Sequence, residues 1–203
     1  MVGVLRERWL VTAAALIFAG AAGFWMSTAL RARPSLEAAR SQSAGTFAVP
    51  GTLRPVGIDR DRHGVPHIDA AGEPDAFLAL GFCQAQDRLA QLLHLRRRAR
   101  GTAAEELGRE AVEADHLARL LDFRGLADRQ WENLAAPARS ALEAYAAGVN
   151  ARIERLPHEA DGPGLRPAEI EPWRAQDSLA LYKLFAWGLS AAATAGNDAA
   201  RKQ

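Results

Sequence analysis

Between Val56 and Ser190 apolar side chains recur first at every second position and then at every third or fourth, and this change of period divides the chain. Val56 and Ile58 alternate with polar neighbours, His63-Gly64 turns the chain, and Val65-Pro66-His67-Ile68 runs back. Pro66 biases Val65 toward extended backbone, and Gly64 supplies the freedom a tight turn needs, so the alternation predicts a hairpin. The period then lengthens. Leu78, Phe82, Ala85, Leu89, Leu92 and Leu93 fall along one side of a long amphipathic helix, with Pro74 in its first turn and Gly101 at its end. Thr102-x-x-Glu105 has the form of a capping box and starts another helical turn.

From Ala111 to about Gln130 a helical period carries Val112, His116, Leu117, Leu120, Leu121 and Phe123. Pro137 opens a further helix in which Ala138, Leu142, Tyr145, Ala146, Val149 and Ile153 form a narrow apolar stripe. The stretch Leu156 to Pro172 holds four prolines and two glycines and predicts a loop over the domain, pinned at its far end by Trp173. A last helix is expected from Asp177 to Ser190, with Leu181, Leu184, Phe185 and Leu189 on one side. The tail from Ala191 has no apolar anchor, and regular structure is expected to end before it.

Ahead of this region, Arg6 and Arg8 precede an uncharged run from Trp9 to Leu30. At the helical rise such a run reaches about 33 Å, enough to cross a hydrocarbon core of about 30 Å. Residues 1–30 therefore read as a transmembrane signal anchor or, alternatively, a cleaved signal peptide; the absence of a clean small-x-small site favours the anchor. Either reading puts the rest of the chain in the periplasm or at the cell exterior. Residues 31–52, rich in Ala, Ser, Arg and Gly, read as a linker, which leaves 53–203 as one domain.

Composition narrows the function. At 203 residues, 49% hydrophobic and a net charge of +1, the chain has apolar content for a real core and no field for nucleic acid. Cys83 is the single cysteine, lies in a helical apolar run, and reads as a small buried hydrophobe. The Arg96, Arg97, Arg98 and Arg100 cluster falls at a helix carboxyl end, where positive charge is stabilising without a phosphate partner. His63 and His67 have the spacing of a helical zinc pair, but Gly64 and Pro66 between them exclude a helix. Asp87 and Arg88 are adjacent, face different directions, and are expected to pair with other elements. Glu105 and Glu106 read as capping and surface residues.

The literal motifs go further than the periods. RDRHGVPHI, DAFLALGFCQAQDRL and LRRRARGTAAEELG closely resemble the amino-terminal part of the penicillin acylase family of N-terminal nucleophile hydrolases, and the resemblance continues through ALEAYAAGVNARI and EPWRAQDSLALYKLFAW. It implies an α+β fold of the αββα type, of which this segment is the predominantly helical α-subunit region. It implies hydrolysis of a linear amide in a penicillin, an acyl-homoserine lactone or a related N-acyl compound. In that family a serine at the start of a separate β chain is the nucleophile and its own α-amine the base, so no catalytic residue is expected here; Ser178, Ser190 and Thr194 are internal and carry no such amine.

The resemblance implies that this chain shapes the substrate site. Residues of the last helix line the family's acyl pocket, which aligns Phe185 and Leu189 as substrate-binding residues; a register one residue later would offer Ala186 and Ser190. Ordinary core packing at helical spacing is the competing reading. Some members hold calcium with a glutamate just beyond this helix, where the present chain has Ala193, Thr194 and Ala195, with Asn197 and Asp198 slightly further on. Two oxygen donors fall far short of what calcium needs, so no metal or other cofactor is expected within this chain. The expected partners are a β subunit, a small N-acyl amide and the membrane through residues 9–30. The alternative is a non-enzymatic, membrane-anchored helical binding module, or an inactive relic.

Overall fold

The structure is a computed structural model that describes residues 49–156 and 170–201, with side chains described as far as residue 193. The leader and linker readings for residues 1–30 and most of 31–52 lie outside the described residues; among those described, no helix is long and apolar enough to cross a membrane.

The hairpin forms as the alternation predicts. Strand β1 (Gly57–Arg60) pairs antiparallel with β2 (Pro66–Asp69), placing Ile58 opposite Ile68. Gly64 sits at φ 79°, and the Asp61 carboxylate accepts the His63 and Val65 amides at 2.8 and 2.9 Å, closing the turn. These amide bonds to the carboxylate, that of Val65 foremost, hold the Asp61 pKa below its ordinary value. His63 thus lies in the turn and His67 in β2, with no helix between them. Arg60 anchors the hairpin to the next helix by donating to Asp87 and Gln86, each at 3.0 Å.

That helix, α1 (Glu73–Arg100), buries Leu78, Phe82, Ala85, Leu89 and Leu93 along the expected side and ends at Gly101 in the left-handed conformation (φ 68°). It is bent at Arg88, whose φ −141° and ψ 30° are non-helical. Cys83 is 1% exposed within the core, and burial pushes its thiol upward in pKa.

The capping box expected at Thr102 does not form. Helix α2 (Ala104–Leu107) has no capping side chain of its own; the amides of Ala103 and Ala104 donate instead to the buried Asp115 carboxylate at 2.8 and 2.7 Å. A charged acceptor with two oxygens satisfies both orphan amides, which a single hydroxyl cannot. Asp115→Ala should therefore cost about 1–3 kcal/mol of stability, more than an ordinary cap substitution, as thermal unfolding of the variant would register.

Asp115 belongs to α3 (Val112–Leu121), reached through a short 3-10 turn. Here the structure corrects the periodicity. The helix does not run on to Gln130 but breaks at Asp122, at φ 51°, whose side chain accepts the Gly125 amide and opens α4 (Phe123–Glu132). The buried residues of the two helices are Asp115, Ala118, Phe123 and Ala127, whereas Val112, Leu117 and Leu120 are exposed. Tertiary bonds decide this, because Asp115 must reach the α2 amides and Arg119 Nε donates to the Gly101 carbonyl at 2.7 Å.

Helix α5 (Ala136–Glu154) buries Ala146, Val149 and Ile153 of the expected stripe, while Ala138 at its start is exposed. It lies directly on α1. A Cβ added to Gly81 would lie 2.1 Å from the Tyr145 carbonyl oxygen, and one added to Gly148 would lie 1.9 Å from that of Leu78. The two helices therefore meet backbone to backbone, which only glycine permits.

Trp173 pins the end of the loop as anticipated. It is 2% exposed, exchanges two backbone bonds with the Asn150 side chain, and donates its ring N–H to Ser178 Oγ at 3.1 Å. The interior of that loop lies outside the described residues. Helix α6 (Ala175–Arg201) runs past Ser190, so the tail is a continuation of the helix and not its end. Its alanine-rich sequence needs no apolar anchor to stay helical while attached to a packed first half.

Candidate functional site

A groove of about 580 Å³ opens where α1, α5 and α6 meet. Phe77, Leu80 and Leu92 of α1, Leu142 of α5, and Leu181 and Phe185 of α6 form its apolar walls, with Trp173 also in the lining. Such a volume and lining suit a largely apolar occupant.

The frame around the groove is ionic. At the carboxyl end of α1, Arg100 donates to both Asp177 (2.8 Å through Nη2) and Glu171, and Arg96 donates to the Glu171 carbonyl at 2.9 Å while lying 5.4 Å from the Trp173 ring. Asp177 also accepts the Arg174 amide at 2.9 Å at the start of α6, so one carboxylate caps α6 and ties it to α1. Burial lowers the Arg96 pKa against the opposing pull of Asp177, and the hydrogen bond from Arg100 holds Glu171 below its ordinary range. Arg97 pairs with Glu106 at 3.0 Å. Arg96, Arg97 and Arg100 of the cluster thus brace the chain internally.

Of the polar groups in the groove lining, Tyr145 donates to Gln84 at 2.6 Å and Ser178 accepts from Trp173. Burial raises the Tyr145 pKa. Arg88 is the only charged residue of the lining, and it makes no hydrogen bond or ion pair among the described residues. Asp87 beside it pairs with Arg60, as its separate direction on the helix requires.

Phe185 lines the groove and is 52% exposed; Leu189, one turn further along α6, is 74% exposed and lies outside the lining. Ala186 and Ser190 are exposed and also outside it. Neither Phe185 nor Leu189 is a core residue of this chain. Asn197 and Asp198 lie where side chains are not described, and among the described residues no group of three or more His, Cys, Asp or Glu side chains is placed to hold a metal ion. Sequence reasoning missed Arg88, which was read only as a residue paired elsewhere, and the close backbone contacts of Gly81 with Tyr145 and of Gly148 with Leu78. A glycine inside each strongly periodic helix was the available signal for the latter.

The penicillin amidase family model matches residues 55–203, and the chain belongs to that family. Among its relatives, the penicillin acylase 2 proenzyme of Pseudomonas sp. (strain SE83) is 47% identical over 154 residues, which cover 74% of this chain and 20% of that protein. The acyl-homoserine lactone acylase QuiP of Pseudomonas aeruginosa is 34% identical over 152 residues, covering 73% of this chain and 18% of its own length. Among solved structures, a thermostable penicillin G acylase from Alcaligenes faecalis superposes with a TM-score of 0.56 at 29% identity, covering 64% of this chain and 71% of that one. The chain spans about one fifth of the length of the curated relatives it matches.

Proposed function

We propose that this chain is the α-subunit region of an acylase that hydrolyses a linear amide bond in a small N-acyl compound. The observation that carries the reading is the family match over nearly the whole described domain, to relatives named as acylases of penicillin and of acyl-homoserine lactones. In this proposal a β chain supplies the serine nucleophile, its terminal amine as base and donors for the oxyanion; the present chain supplies apolar surface that shapes the acyl site. No metal or other cofactor of this chain takes part. Phe185 and Leu189 contact the acyl group from α6, and their exposure here supports that assignment, since neither is needed to fill this chain's own core. The apolar run at residues 9–30 would hold the domain at the outer face of the membrane or export it.

The test is acyl preference. The full chain is co-expressed with the remaining carboxyl-terminal part of the SE83 proenzyme, and kcat/KM is compared over anilides of increasing acyl length. Phe185→Ala should change the ratio between short and long acyl groups by about tenfold or more, because each methylene in an apolar pocket carries such a factor. Val112→Ala, at an exposed position on α3, should leave the ratio unchanged. An unaltered ratio in Phe185→Ala would remove Phe185 from the acyl site.

A further inference from the structure

We infer that the α1–α5–α6 groove seats a segment of the β chain that bears one carboxylate among apolar side chains, and that Arg88 receives it. The inference rests on the two-chain acylase reading and names the chemistry by which the partner is recognised.

Extent is the first argument. The α1 positions in the lining run from Phe77 to Leu95, about 27 Å of helix, and Tyr182 of α6 (62% exposed) lines it as well, so the groove extends far beyond Phe185, the one lining residue assigned to the acyl group. That surface outruns a small acyl ligand and matches a polypeptide segment. Such a continuous apolar face marks an interaction surface, and the relatives carry about four fifths of their length outside the matched region.

Charge is the second argument. Once a chain covers the groove, the Arg88 guanidinium loses water, and an arginine buried without a counter-charge is strongly unfavourable. The nearest acid in sequence, Asp87, is held by Arg60 on the hairpin. Among the described residues none of the others in the lining carries a charge, and the covering segment supplies the anion in this proposal. The planar fork of arginine takes a carboxylate through two bonds, which fixes the register of the segment. Gln84 and Gln91, one turn to either side on α1, line the groove as well and offer amide groups to its backbone.

The probe is the carboxyl-terminal part of the SE83 penicillin acylase 2 proenzyme, titrated against the full chain. Arg88→Ala and Arg88→Glu should each raise the dissociation constant about thirtyfold or more, with Arg88→Lys intermediate, while the circular dichroism of the variants stays that of the parent. Reversal of a single Asp or Glu of the partner to Lys should restore binding to Arg88→Glu. Affinities of Arg88→Ala and Arg88→Glu within threefold of the parent would overturn the role of Arg88 and leave the two-chain reading standing. Failure of the parent chain to bind, where the relative's own amino-terminal region does bind, would instead overturn the two-chain reading. Saturable binding of dodecanoate by the full chain, lost in Arg88→Ala, would also overturn the inference and make the groove a small-anion site.

Discussion

Gly148→Ala is expected to lower the thermal unfolding midpoint by about 10 °C or more, and Gly148→Val to prevent folding. The added Cβ would lie 1.9 Å from the Leu78 carbonyl oxygen and 2.8 Å from the Phe82 amide nitrogen, both backbone atoms of α1. No rotamer change relieves a clash with backbone, so α1 and α5 must separate along their shared face. Overpacking in a core typically costs roughly 1–3 kcal/mol when side chains can adjust; here they cannot, and the loss should exceed that range. Each kcal/mol moves the midpoint by about 2–4 °C in a chain of this size. Gly188→Ala is the control. Nothing lies within 4 Å of a Cβ at that position, so replacing a mid-helix glycine should stabilise α6 by up to about 1 kcal/mol. Differential scanning of the two variants beside the parent checks both signs; equal midpoints for Gly148→Ala and the parent would contradict the backbone contact.

Asp177→Ala should cost about 3–5 kcal/mol, the range for removing one partner of a buried ion pair. The Asp177 side chain is only 7% exposed, lies 2.8 Å from Arg100 and 3.7 Å from the equally buried Arg96, and accepts the Arg174 amide. Its loss leaves two guanidinium groups short of a counter-charge and the first turn of α6 uncapped. Asp177→Asn keeps an acceptor for the amide and removes the charge, so it should fall between the parent and the alanine variant. Urea unfolding of the three proteins separates the cap from the charge. An alanine variant within about 1 kcal/mol of the parent would show that water or Glu171 replaces the carboxylate.

The hairpin and the long helix α1 were legible because each depends on residues close in sequence, whereas Trp173 was legible only as the large apolar residue that ends a proline-rich stretch, its partners Asn150 and Arg96 being distant. Pro66 and Gly64 dictate the turn, and Leu78 to Leu93 share one side of a helix whatever packs against it. The capping of α2 was not legible, since its acceptor, Asp115, comes from the following helix and displaces the nearer Thr102. The inward face of α3 was misread for a related reason. Periodicity identifies an apolar stripe, but cannot tell whether this chain or another molecule covers it, and Val112, Leu117 and Leu120 are left exposed here. The same ambiguity surrounds Phe185 and Leu189, whose spacing fits a core that they do not join. Arg88 was invisible as a site residue because its position depends on the bend in α1 and on two other helices.

The most direct measurement is hydrolysis by a reconstituted pair. The full chain is mixed with the carboxyl-terminal part of the SE83 proenzyme, and turnover of an N-acyl anilide is followed beside three controls. These are each component alone and the relative's own amino-terminal region with the same partner. The account predicts activity for the pair, none for this chain alone, and loss of activity when the partner's first serine is replaced by alanine. Full activity in the relative's pair with neither complex nor turnover in this one would contradict it.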